Sequence, residues 1–323
     1  MLKIDFLNVG HGDCTVVHFP SGRTAVIDIN NGIIDSDSKS EIYAELGISE
    51  RDLLLKRLTL DNFDEAVYLR EKGYDIDLTD PVDWMRTQNI NSIFRFICTH
   101  PDMDHLSGLH KLGEYGIKIE NFWDVKHNFE QSSEDEGFSS GKYDYKDWEA
   151  YQKFRKSVSS PTSINPLRNH SRDFWNQDGI YILSPNEELI KISHETENKN
   201  HLSYVLLIVY GKTKIYLCGD ATNDQTIPNM IEHYGESAFQ KKEGELVILK
   251  APHHGRESGF HNDFVKALSP DVVVVSVGKK PATDASNKYR NHSDNVWSTR
   301  WKGNITLNCD DLGKANYQFQ YDR

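Results

Sequence analysis

Short runs in which apolar and polar residues alternate every second position recur along the chain, which is the period of a half-buried strand. "LKIDFLNV" (2–9), "CTVVHF" (14–19) and "TAVIDI" (24–29) predict an N-terminal meander whose last turn is "PSGR". "SIFRFIC" (92–98), "GIYILS" (179–184), "LSYVLLIVY" (202–210) and "KIYLCGD" (214–220) predict further strands, the last two joined by a tight "GKT" turn. "ELVILKAP" (245–252) and "DVVVVSVG" (271–278) complete a central set, and "NITLNC" (304–309) with "KANYQFQY" (314–321) predicts a closing hairpin. Helical spacing appears between strands, in "LSGLHKLGEYG" and "HNDFVKALSP". Strands that end in polar residues and alternate with helices predict an α/β sandwich.

Two segments break this rhythm. Residues from about 34 to 90 carry apolar positions at helical spacing in "SEIYAEL" and "NFDEAVYLREKGYDI", and residues from about 126 to 178 are polar and aromatic. Both read as insertions into a single domain spanning 1–323, since no repeat or long linker sets them apart. The 323 residues, 37% hydrophobic and 27% charged, suffice for a large core. No apolar run approaches the roughly 18 residues of a membrane span. "MLKIDFLNVG" starts a strand at once and lacks the features of a signal peptide, so a cytoplasmic chain is expected. Cys14, Cys98, Cys218 and Cys309 lie far apart in or beside apolar runs, as reduced buried thiols do, and none has a CxxC neighbour. The net charge of −12 is the opposite of a surface that grips long nucleic acid. An anionic substrate would have to be held by the site itself.

One turn stands out. "FICTHPDMDHLSG" (96–108) sets His100, Asp102, Asp104 and His105 within six residues, as H-x-D-x-D-H after a predicted strand. Carboxylate oxygen suits hard divalent ions, and imidazole suits zinc, manganese or iron. One His–Asp pair is common on surfaces; four such groups in one turn are hard to explain by folding alone. Later strands end in the same way. "IYLCGDAT" delivers Asp220 behind a glycine that allows close backbone approach, and "LKAPHHGRESG" delivers His253 and His254. "IDINNG" delivers Asp28, for which a turn aspartate is an equally good reading. Ligands presented by successive strand ends are how α/β folds build sites.

The order "NVGHGD", "VIDINNG", "THPDMDHLSG", "LCGD" and "APHHG" resembles the metallo-β-lactamase fold. It looks most like the soluble hydrolase domain of ComEC-type competence proteins and its stand-alone relatives, from residue 1 to about 320. The resemblance implies an αββα sandwich holding two divalent ions, zinc or manganese, with magnesium a further choice. It assigns His100 and Asp102 to the first ion, Asp104 and His105 to the second, and Asp220 to both. It favours His254 as the last ligand, with His253 a close rival. The first ion's third ligand falls some twenty residues before the bridging aspartate, where His201 lies, although Asn200 and Ser203 match the competence-type pattern there. His11 replaces a glutamine of the family's "VGQGD" and is expected to fold its turn rather than reach the site. In "NKYRNH", Asn287, Tyr289 and His292 match another family feature, which makes His292 a candidate phosphate contact.

The activity implied is metal-dependent hydrolysis of a phosphodiester, as a phosphodiesterase or nuclease, with DNA among the expected substrates. Asp104 or Asp220 would orient the attacking water, and Lys250, Arg256 or His292 would answer charge on the phosphate or leaving oxygen. Tyr143, Tyr145, Trp148, Tyr151 and Phe154, interleaved with Lys146, Lys153, Arg155 and Lys156, would either stack bases or form an amphipathic helix on the core. A second reading keeps the metals but takes a small phosphodiester, a cyclic nucleotide or a phosphocholine ester, in an enclosed aromatic-lined pocket made by the insertions. A third, a non-catalytic binding module, sits poorly with a complete ligand set.

Overall fold

Two sheets carry the site between their ends. The computed structural model describes residues 1–34, 36–278 and 282–321. The first sheet contains β1 (Leu2–Phe6), β2 (Thr15–His18), β3 (Thr24–Ile27), β4 (Ser92–Ile97), β5 (Lys118–Trp123), β6 (Thr162–Ile164), β13 (Ile305–Cys309) and β14 (Ala315–Phe319). Its order is β14-β13-β1-β2-β3-β4-β5-β6. The second contains β7 (Ile180–Ser184), β8 (Val205–Tyr210), β9 (Thr213–Leu217), β10 (Leu246–Lys250), β11 (Val272–Val275) and β12 (Asn295–Ser298), in the order β12-β11-β10-β9-β8-β7. The meander β1-β2-β3 is antiparallel and continues into parallel β3-β4-β5-β6. In the second sheet β9, β10, β11 and β12 are parallel. β5, β6 and β12 were not among the expected strands; "KIENFW" of β5 mixes charged with apolar residues and takes its pairing from β4 and β6.

Alternation along each strand sorts side chains into three layers. Leu2, Ile4 and Phe6 of β1 face Ile215 and Leu217 of β9 across the gap between the sheets. The opposite faces pack under helices. Val16, Val26, Phe96 and Phe122 lie beneath the helices Pro81–Thr87, Leu109–Glu114 and Tyr145–Arg155. Tyr216, Leu249 and Val273 lie beneath Thr226–Tyr234 and Asn262–Leu268. The result is the expected αββα sandwich. Because both faces of β10 and β11 are covered, their sequences run almost unbroken apolar.

The aromatic run at 143–154 belongs to this packing. Asp144 caps the helix Tyr145–Arg155 by accepting from the Lys146 N–H. Trp148 and Tyr151 are then buried against Phe122, with Tyr143, Tyr145 and Phe154 packed alongside. The rings are spent on the core, which removes the base-stacking alternative for Trp148 and Tyr151. Residues 34–90 contribute four helices, of which Ser36–Glu45 and Glu65–Glu71 share a small apolar cluster of Ile42, Leu69 and Tyr74. Among the described residues, no helix is long and apolar enough to cross a membrane.

Candidate metal centre

The ends of β3, β4, β9 and β10 bring the polar residues together. Past β4, the turn Met103–His105 sets Asp104 and His105 facing the end of β9, and Asp220 follows there. Gly12 makes the approach of the 10–14 loop feasible: at φ +133° it sits so tightly that a Cβ would lie 2.3 Å from the Asp104 carbonyl oxygen. Gly219, at φ +47°, lies against Thr99 in the same way. Backbone bonds stitch the loops, from Asp13 N–H to the Asp104 carbonyl (3.3 Å) and from His253 N–H to the Gly219 carbonyl (3.0 Å).

Four histidines aim Nε2 inward because something behind each ring holds Nδ1. Asp28 organises two of them. Its Oδ1 accepts from the Thr99 N–H (2.7 Å), and its Oδ2 accepts from the Thr99 hydroxyl (2.7 Å) and His105 Nδ1 (2.8 Å). With its proton committed to Asp28, the Thr99 hydroxyl accepts from His100 Nδ1 at 3.1 Å. His254 Nδ1 donates to the Ser276 carbonyl (3.2 Å), and His253 Nδ1 pairs with the Ser258 hydroxyl (2.8 Å). Asp28, His253 and His254 all hold positive φ (58°, 48° and 54°), the kind of local strain that accumulates where side-chain direction matters.

Asp220 is the hub. Its carboxylate lies 3.3 Å from His105 Nε2, 3.5 Å from His254 Nε2, 3.6 Å from His253 Nε2 and 4.0 Å from His100 Nε2. Asp104 Oδ2 lies 3.4 Å from His254 Nε2 and 3.9 Å from His105 Nε2. His11, expected only to fold its turn, also reaches this face, 3.6 Å from Asp104 Oδ2.

The test of fit is hydrogen bonding. His100 Nε2, His105 Nε2, His254 Nε2 and Asp220 Oδ1 are buried without a hydrogen-bond partner. An unpaired buried polar atom costs about 1–3 kcal/mol, so four converging on one point demand an explanation, and a divalent cation supplies one. Charge points the same way. Burial opposes it, yet the imidazoles of His254 and His105 hold Asp220 well below the carboxylate range, and His105 with His254 and His11 does the same to Asp104. Conversely, against their own burial, Asp220 and its acidic neighbours raise His105 and His254 well above the usual imidazole value. A bound cation would take the electrostatic place of those two protons.

Neither a family model nor a curated protein matches this sequence. Solved structures align along nearly its whole length at low identity. Igni18, a metallo hydrolase from the hyperthermophilic archaeon Ignicoccus hospitalis, is 13% identical over 99% of this chain and 100% of its own, with a TM-score of 0.43. A diphosphatase from the PhnP family is 9% identical over 97% and 100%, with a TM-score of 0.41. Zinc-bound PqqB from Methylobacterium extorquens is 10% identical over 95% and 100%, with a TM-score of 0.39.

Other expected site residues are placed differently. His201 is buried with its Nδ1 against the Thr222 hydroxyl (3.1 Å), not among the inward-facing rings. Lys250 ends β10 on a buried face, where its ammonium pairs with Asp13 (2.8 Å), so it backs the site and does not face a substrate. Asp13 in turn lies 3.6 Å from His254 Nδ1. His292 bonds Asn262 Oδ1 (3.2 Å) and stacks on Phe260, outside the cluster. Asp102 meets His100 Nε2 at 3.4 Å through one oxygen and, unexpectedly, Lys199 Nζ at 3.0 Å through the other.

Proposed function

We propose that this protein is a metal-dependent phosphodiesterase. The observation that carries the reading is the convergence of Asp104, His105, Asp220 and His254, in which His105 Nε2, His254 Nε2 and Asp220 Oδ1 lack hydrogen-bond partners while Nδ1 of both rings is held from behind. These four residues would hold a divalent ion, which when bound lowers the pKa of water and polarises a phosphoryl oxygen. Asp104 and Asp220 orient the attacking water. Its oxygen bonds to phosphorus as it gives up a proton to a carboxylate, the ester P–O bond breaks, and the departing oxygen takes up that proton and leaves as the alcohol. Asp28, Asp13 and Ser276 fix the rings from behind, so that little reorganisation accompanies reaction. The sequence resemblance to competence-type hydrolase domains supports phosphodiester chemistry.

A specific feature favours a small substrate over a polymer. Beside His11 opens a cavity of about 110 Å³, walled by Ile34, Ile42 and Leu78 from one inserted segment and by Lys142 and Tyr143 from the other. It borders the cluster through His11 alone, and its volume admits only a small group rather than a polymer. The buried rings of the 145–155 helix and the acidic balance of the chain give no matching support for a long nucleic acid track.

The test is hydrolysis of bis-p-nitrophenyl phosphate by metal-stripped protein resupplied with manganese, zinc or magnesium. Turnover that needs metal and vanishes in Asp220→Ala is expected. Its absence with every metal, in protein shown to bind one, would overturn the reading. Cyclic nucleotides and single-stranded DNA compared on the active form then separate small substrate from polymer.

A further inference from the structure

The first of the two metal positions implied by the resemblance is occupied by something else. Its expected ligands are His100, Asp102, Asp220 and a residue from the segment before β8. That segment is a 3₁₀ turn, Lys199–Leu202, started by Asn198, whose side chain accepts from the Asn200 N–H. With three residues per turn, side chains two positions apart point about 120° apart, so Lys199 and His201 cannot both face the site. The turn is fixed by Ser203, whose hydroxyl accepts from the Asp220 N–H (3.2 Å). In that setting His201 turns back to Thr222 and Lys199 turns forward, with Nζ 3.0 Å from Asp102 Oδ1.

Two further observations agree. Among the described residues, the groups of three or more acidic or imidazole side chains whose ligand atoms all lie within 4.8 Å of one another are His11–Asp104–His254, His100–His105–Asp220, Asp13–Asp220–His254 and Asp13–Asp28–His105. Neither Asp102 nor His253 joins any of them, and the one group that includes His100 shares both its other members, His105 and Asp220, with the second position. The charge count matches as well. Lys250 answers Asp13 and Lys199 answers Asp102, while Asp28 is held by three donors. Asp104 and Asp220 remain, two negative charges around the second position, which is what one divalent ion balances.

We propose that the Lys199 ammonium is the built-in cation of the first position, so that each chain binds a single divalent ion, at Asp104, His105, Asp220 and His254. This rests on the metal-dependent reading above. In that role Lys199 contacts a non-bridging oxygen of the phosphodiester, the place that the first ion would fill in a two-metal site. Of the four unpaired atoms, the ion answers three; the fourth, His100 Nε2, is left as the acceptor for the attacking water, its Nδ1 proton being given to Thr99.

The experiment is metal content after saturation with manganese and removal of free ion, read by elemental analysis and by electron paramagnetic resonance, on the whole chain. Wild type should hold one ion and give the spectrum of an isolated manganese. Lys199→Met frees Asp102 as a ligand and should raise the content towards two, with the spectrum of a coupled pair. Lys199→Arg keeps the charge and should stay at one. Because the Lys199 side chain is partly exposed, these variants should fold, which far-ultraviolet circular dichroism checks. Two ions in wild type would overturn the inference and leave the metallo-hydrolase reading intact. One ion in both wild type and Lys199→Met would remove Lys199 from the explanation. No ion in wild type would overturn both.

Discussion

Asp28 offers the sharpest test of how the site is held. Replacing it with asparagine changes no volume and leaves Oδ1 to accept from the Thr99 N–H, now 2.7 Å away. The other position becomes an NH₂ facing the Thr99 hydroxyl and His105 Nδ1, which lie 2.7 and 2.8 Å from the present oxygen. An amide N–H there needs an acceptor, so His105 must move its proton from Nδ1 to Nε2, the atom that faces Asp220. Flipping the amide instead sets two donors against each other at Thr99 N–H. Either way, a ligand is lost or must be regained at a cost. Removing such an outer partner of a metal-binding histidine lowers metal affinity by about 10–100-fold, or about 1.4–2.7 kcal/mol. The assay is competition with a chelating dye for manganese or zinc, on wild type and Asp28→Asn of equal circular dichroism. Affinity within twofold of wild type would refute the claim that Asp28 sets the His105 tautomer.

Two other predictions follow from buried charge. Lys250→Met should destabilise the fold by about 3–5 kcal/mol, since it leaves the Asp13 carboxylate buried and unpaired; urea denaturation measures it, and Asp13→Asn added to it should recover part of the loss. Burial lifts Asp124 to about 6, opposed by Arg155 and the Tyr151 hydroxyl, so the folded chain keeps a proton there that the unfolded chain has shed. That contribution is full below about pH 4 and is lost as the pH rises to about 6, amounting to about 3 kcal/mol. Asp124→Asn should therefore show a stability difference from wild type that changes across this window, and a difference independent of pH would refute the assignment.

What could be read from the chain and what could not divides along physical lines. Strands with one apolar and one polar face, such as β1 with Leu2, Ile4 and Phe6 on one side and Lys3 and Asp5 on the other, announce themselves, because period two and burial coincide. β5, β6 and β12 do not, because their pairing comes from neighbours rather than from their own residues; Lys118 and Glu120 in β5 are exposed. The same split holds at the site. His100, Asp102, Asp104 and His105 stood out as candidates because one turn carries all four. His253 and His254 could not be ranked from adjacent positions, since what separates them lies elsewhere: the Ser276 carbonyl behind His254 and the Ser258 hydroxyl beside His253. Asp28 looked like a turn residue because its partners, Thr99 and His105, are some seventy positions away. Lys199 carried no motif at all. Its meaning depends on the rotation of a single 3₁₀ turn, which decides whether the segment before β8 offers the site an imidazole or an ammonium. Candidate ligands of this chain are thus visible in contiguous residues, while the direction in which they point is set by contacts between distant strand ends.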